Sequence, residues 1–136
     1  PEESGEFVKR LSEEEIDSIF LLSPTTEDER IKLIAKQASG FLYYVSLKGV
    51  TGAANIDIEQ VSENVKNIQK YSDLPVAVGF GVRDPKTAKA VSKISDGVVI
   101  GSRIVKEIEE SDKVEIIPNV KKLMHSMKAA IDSKSA

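Results

Sequence analysis

Residues 75–102 read PVAVGFGVRDPKTAKAVSKISDGVVIGS, and one β/α/β unit can be followed through them from end to end. Pro75–Phe80 is a short apolar run that closes on Gly79-Phe80-Gly81. Asp84 followed by Pro85 is an N-cap with a proline at the first helical position, which opens a helix through about Lys93. Gly97–Gly101 (GVVIG) is a second apolar run, and Gly101-Ser102 opens another helical stretch through about Ile108. Both runs are continuous rather than alternating, the pattern of strands buried on both faces, and a helix between two such strands makes them parallel.

The same alternation extends towards the N-terminus. Ile19–Ser23 (IFLLS) and Phe41–Ser46 (FLYYVS) are two further strand-like runs. Ile31, Ile34, Ala35 and Ala38 recur at helical spacing between them, and Ile58, Val61, Val65 and Ile68 do so after the second. Thr26 with Glu29 has the spacing of a capping box for the first of these helices, and Ser39-Gly40 ends it. Residues from Ser4 to about Glu15 form an amphipathic pattern with Phe7, Val8 and Leu11. The last helix carries Ile117, Val120, Leu123, Met124, Met127 and Ile131. Residues 1–136 therefore read as one α/β array of parallel β/α units, without tandem repeat, linker or low-complexity stretch. Doubly wound sheets and (β/α)8 barrels share this alternation. A whole barrel takes eight strands and about 250 residues, so about four strands fit either a small open sheet or the second half of a barrel.

Composition narrows the function. The 136 residues carry 19 Lys+Arg against 22 Asp+Glu, a net charge of −3, which argues against a nucleic-acid surface. The apolar runs are far shorter than the roughly 20 residues of a membrane-spanning helix. No signal segment is apparent, and a cytoplasmic protein is expected. With no cysteine, disulfides, thiolate metal sites and cysteine nucleophiles are excluded. The chain opens Pro1-Glu2-Glu3 without an initiator Met, as a processed chain or a piece of a longer one does.

Glycines mark the chemistry. Three loops follow successive strands on the side where parallel α/β proteins place their sites: Gly49-Val50-Thr51-Gly52, Gly79-Phe80-Gly81 and Gly101-Ser102. Gly101-Ser102 at a helix start offers backbone N–H groups and the positive dipole end to an anion. Each glycine alone also suits a tight turn or close packing; the three loops together point to a phosphate. Neither a P-loop nor a dinucleotide fingerprint is present, since Asp84 stands where the third glycine of a G-x-G-x-x-G would be. His125 lacks triad-like partners and reads as a surface histidine. Glu13–Glu15 and Glu107–Glu110 read as solvated helix faces rather than metal ligands, and Arg103 as solvent-exposed although near the anion site. Tyr43 and Tyr44 point to opposite faces of their strand, so one is free to line a pocket while the other packs beneath a helix.

Taken in order, Pro24-Thr25-Thr26 with Glu29-Arg30-Ile31, then Ser39–Ser46 (SGFLYYVS), Gly49-Val50-Thr51-Gly52-Ala53, Pro75–Val82 and Gly101–Lys106 (GSRIVK) resemble the tryptophan synthase α subunit over nearly the whole chain. The resemblance implies the second half of a TIM barrel, from a lyase that cleaves indole-3-glycerol phosphate to indole and glyceraldehyde 3-phosphate in tryptophan biosynthesis. By position it implies that Gly52, Gly81, Gly101 and Ser102 hold the substrate phosphate, while Tyr43, Thr51, Gly79 and Phe80 border the pocket, Thr51 within a mobile loop. It implies no cofactor or metal for this reaction. The implied partner is a β subunit that carries pyridoxal phosphate, in an α2β2 assembly. The family's catalytic Glu and Asp belong to the first half of the barrel, and no carboxylate here matches their motifs. No catalytic residue is therefore expected in this chain, which is expected to be inactive alone and to pair with a first half-barrel or with a second copy of itself. Another phosphate-binding barrel, or a non-catalytic self-assembling scaffold, is the alternative.

Overall fold

Local hydrogen bonding in the computed structural model, which describes residues 4–46, 57–79 and 81–133, explains where the elements begin. The carboxylate of Asp84 accepts from the Thr87 backbone N–H at 2.9 Å and from the Thr87 hydroxyl at 2.8 Å, capping helix α4 (Pro85–Ser92) as its sequence predicts. Asp57 caps α3 (Ile58–Gln69) in the same way through the Gln60 N–H. The helix expected from Thr26 starts later. Thr26 Oγ1 accepts from the Ser23 N–H and closes a turn, so α2 runs Asp28–Gln37 behind Glu27, and no capping box forms. A threonine hydroxyl satisfied by a neighbouring turn is no longer available to a helix end.

The remaining elements are α1 (Gly5–Glu13), β1 (Phe20–Leu22), β2 (Leu42–Val45), β3 (Val76–Gly79), β4 (Gly97–Val99), α5 (Ser102–Glu110) and α6 (Ile116–Asp132). The strands form one parallel sheet in the order β1-β2-β3-β4. Asp96 fastens the entry to β4, its carboxylate accepting from the Val76 N–H and its own N–H donating to the Val76 carbonyl, each at 2.9 Å. At the same end of the sheet Ser39 and Ser18 exchange hydrogen bonds between the segments that lead into β2 and β1.

Register separates the two faces. Leu22, Tyr44, Val78 and Val98 stand in one row, with Phe20, Leu42 and Val76 in the row before it. Leu22, Tyr44, Val78, Leu42 and Val76 are buried in a core shared with Ile31 and Ile34 of α2, Val61, Val65 and Ile68 of α3, Ala88 and Val91 of α4, and Met127 of α6. The other face carries the row Leu21, Tyr43, Ala77 and Gly97, and beyond it Val45, Gly79 and Val99. Leu21 is 61% exposed and Tyr43, Val45, Ala77 and Val99 are only half-buried. The strands are thus buried on one face, not on both as their continuous apolar runs predict. Helices cover one side, and among the described residues no second layer covers the other. The apolar stripe of α6 is likewise only partly covered: Met127 is buried and Ile117 is 80% exposed.

Asp84→Ala lowers stability by about 1 kcal/mol, the usual value of a helix N-cap. The Thr87 backbone and hydroxyl hydrogen bonds hold the Asp84 carboxyl below its ordinary value. A depressed carboxylate contributes its stability above its unfolded pKa and loses it as pH falls through the folded one. The gap between wild type and variant, followed by urea melts, accordingly closes in acid and stays open at neutral pH.

Candidate functional site

The site expected from the glycine loops lies at the C-terminal ends of the strands. At the end of β3 the chain is tied to β2, since Ser46 N–H and Oγ both donate to the Gly79 carbonyl, at 3.2 and 3.3 Å. Gly79 itself is buried beneath Tyr43: a Cβ there would fall 2.5 Å from the Tyr43 hydroxyl oxygen and 2.6 Å from its ring. The glycine is what lets the Tyr43 ring lie along the open face of the sheet. Tyr44, on the opposite face, is buried under the helices, and its hydroxyl pKa is raised by that burial. Gly81 turns the chain at φ +81°, backbone that a Cβ disfavours.

Gly101 is the N-cap residue of α5 and Ser102 its first residue, both exposed. Among the described residues no side chain caps this helix, and a Cβ at Gly101 would meet none of their atoms within 4 Å. Among the described residues the N-terminal N–H groups and the positive end of the α5 dipole are therefore left without a side-chain acceptor. Beside them is a cavity of about 530 Å³ lined by Arg83, Ser102, Arg103, Lys106 and Glu110. Arg103 pairs with Glu107 at 2.6 Å and Lys106 with Glu110 at 3.6 Å, while Arg103 Nη1 is buried with no hydrogen-bond partner among the described residues. Arg83 bears no ion pair among the described residues, so the cavity lining carries three cations against one carboxylate, that of Glu110.

The loops after β3 and β4 thus converge, through Arg83 from one and Ser102 from the other. Tyr43 and Gly79 sit apart from this cavity, on the open sheet face. Thr51, Gly52 and Phe80 lie outside the described residues. Arg103, expected in solvent, is largely covered and lines the cavity. Arg83 and Lys106 were not singled out by sequence. Their positions, two residues after Gly81 and one helical turn after Ser102, were the available signal. His125 is exposed, and the described residues hold no cluster of three potential metal ligands. None of their helices is long and apolar enough to cross a membrane.

A one-sided parallel sheet, with helices outside and glycine loops at the strand C-termini, defines a β/α-barrel type of α/β protein. Known proteins give the class a family. The tryptophan synthase alpha chain family profile matches residues 1–132. The tryptophan synthase alpha chain of Janthinobacterium sp. (strain Marseille) is 54% identical over 132 residues, covering 97% of this chain and 50% of that protein. That of Nitrosomonas europaea is 50% identical over 135 residues, covering 99% and 49%. Among solved structures, tryptophan synthase subunit alpha from Legionella pneumophila superposes with a TM-score of 0.84 at 33% identity, over 97% of this chain and 48% of that one. The chain belongs to the tryptophan synthase alpha chain family. It spans about half the length of the curated relatives it matches, and its fold is the corresponding half of their TIM barrel.

Proposed function

We propose that residues 1–136 act as one unit, the second half-barrel of a cytoplasmic lyase of tryptophan biosynthesis, and hold the phosphate of indole-3-glycerol phosphate while indole and glyceraldehyde 3-phosphate separate. The observation that carries this reading is the uncapped N-terminus of α5, open at Gly101-Ser102 beside a cationic cavity at the strand C-termini. Backbone N–H groups at a helix start are suited to a phosphate dianion. Gly81 and Gly52 would add N–H donors from the preceding loops, with Phe80 and Thr51 beside them. Tyr43, fixed over Gly79, would offer an aromatic wall to the indole.

Cleavage also needs a group that protonates the indole C3, one that takes the glycerol hydroxyl proton, and one that steadies the indole nitrogen. The family's Glu and Asp do this, and no carboxylate of these 136 residues matches their motifs, so the chain alone is inactive in this reading. The reaction needs no metal or cofactor of its own, and the indole passes to a pyridoxal phosphate-bearing β subunit.

Titration with glycerol 3-phosphate, followed by amide NMR, tests the phosphate assignment. Shifts confined to Gly52, Gly81, Gly101, Ser102 and their neighbours are expected. Shifts elsewhere, or none, would overturn it. Indole release by the chain alone would overturn the assignment of the acid and base to the other half.

A further inference from the structure

Arg103 is poorly placed for a residue that only has to build α5. It sits in the first turn, at the positive end of the helix dipole, where a cation is disfavoured and where no acidic residue offsets it. Among the described residues its one ion pair runs from Nη2 to Glu107 at 2.6 Å. The cation is N-terminal to the carboxylate in that pair, the weaker order at i,i+4 spacing. The two side chains are only 27% and 23% exposed, so solvent screens them less than the largely exposed Lys106–Glu110 pair. Arg103 Nη1 is buried with no hydrogen-bond partner among the described residues. A buried N–H that has lost water without gaining an acceptor is destabilising, and an acceptor brought to it is favoured.

The charges around the cavity set what an anion meets there. Arg83 reaches it from the loop after β3 and has no ion pair among the described residues, whereas Arg103 and Lys106 each have a glutamate. Arg83 and the N–H groups at the α5 start are thus available to one negative charge. A second charge requires a cation to leave its carboxylate. Arg103 is the one suited to do so, because it follows Ser102, which both opens α5 and lines the cavity, and it has a nitrogen still unpaired. Its planar fork can also bond two phosphate oxygens at once, which the Lys106 ammonium does less well.

We infer that Arg103 is the specificity residue of the proposed phosphate site, exchanging Glu107 for the ligand and thereby selecting a phosphate monoester dianion over monoanions. The inference rests on the phosphate reading above and adds side-chain recognition to its backbone N–H groups. Binding pairs Nη1 and places negative charge at the positive end of α5 in one step. Glu107 is the competitor, holding the guanidinium until a dianion takes it.

Two ligands that differ in charge test it: glycerol 3-phosphate, whose second ionisation near pH ~6 makes it a dianion at about pH 8, and its methyl diester, a monoanion there. Both are titrated calorimetrically into the wild-type chain, Arg103→Gln, Arg103→Lys and Glu107→Gln, each checked for folding by circular dichroism. The wild type is expected to prefer the monoester by about tenfold or more, the usual scale of a charge-assisted hydrogen bond. Arg103→Gln loses most of that preference while its affinity for the diester is nearly unchanged, and Arg103→Lys recovers part of it. Glu107→Gln binds the monoester more tightly, because the competitor is gone. If Arg103 only supports the helix, Arg103→Gln and Glu107→Gln weaken both ligands alike, which overturns the inference. A preference that survives Arg103→Gln is steric and overturns it too, leaving the phosphate reading standing. A wild-type chain that binds neither ligand overturns the phosphate reading itself, and this inference with it.

Discussion

Gly101→Asp is expected to leave the chain as stable as it was while removing most of its affinity for glycerol 3-phosphate. Gly101 is the N-cap residue of α5, and among the described residues a Cβ there meets nothing within 4 Å. Aspartate and glycine are both accepted at an N-cap and differ by only a few tenths of a kcal/mol, so the melting curve moves little. The new carboxylate occupies the positive end of the helix and accepts the N–H groups that the phosphate would use. Repulsion between unit charges about 4 Å apart near a protein surface reaches about 4 kcal/mol before salt screening, so an affinity loss of about a hundredfold is expected. Paired thermal melts and NMR titrations read the two effects separately. Loss of stability together with affinity would mean that Gly101 is there for packing. Unchanged affinity would place the anion elsewhere.

How far the sequence reveals this protein depends on how local the deciding interaction is. The Asp84-Pro85 helix start is legible because cap, proline and the recipient Thr87 N–H lie within four residues. Thr26 misleads at equally short range, since two local bonds compete for one hydroxyl and the turn to Ser23 takes it. Periodicity on α6 identifies the residues that share a stripe, yet Met127 is buried and Ile117 is open. Spacing carries no information on whether another layer is present to cover a face. The same reason explains the strands, whose apolar runs promise two covers where the described residues supply one. Gly79 is legible as a loop glycine but not as the floor beneath Tyr43, because that contact crosses from β3 to β2. Likewise Arg83 joins Ser102, Arg103 and Lys106 at one cavity only after α4 and β4 bring the chain back beside itself.

Leu22→Ala is expected to destabilise the chain by about 3 kcal/mol, while Leu21→Ala next to it changes stability by less than about 0.5 kcal/mol. The two side chains leave one strand in opposite directions. Leu22 is 1% exposed, in register with Tyr44 and Val78 against the helices, so truncation leaves a cavity that the packed core cannot refill. Leu21 is 61% exposed on the open face and has little burial to lose. A loss of that size is a large fraction of a domain's whole stability of about 5–15 kcal/mol, so Leu22→Ala brings the chain close to unfolding. Urea denaturation of the two variants gives the comparison directly, and equal losses would show that a layer covers Leu21 in solution. Were a complementary half-barrel bound, as the proposed function implies, the order would change in a defined way. Leu22→Ala keeps its deficit, whereas Leu21→Ala acquires one, because its side chain then faces the barrel interior and loses buried area on truncation. An exposed leucine that becomes costly to remove only on assembly is the energetic mark of a half-barrel face.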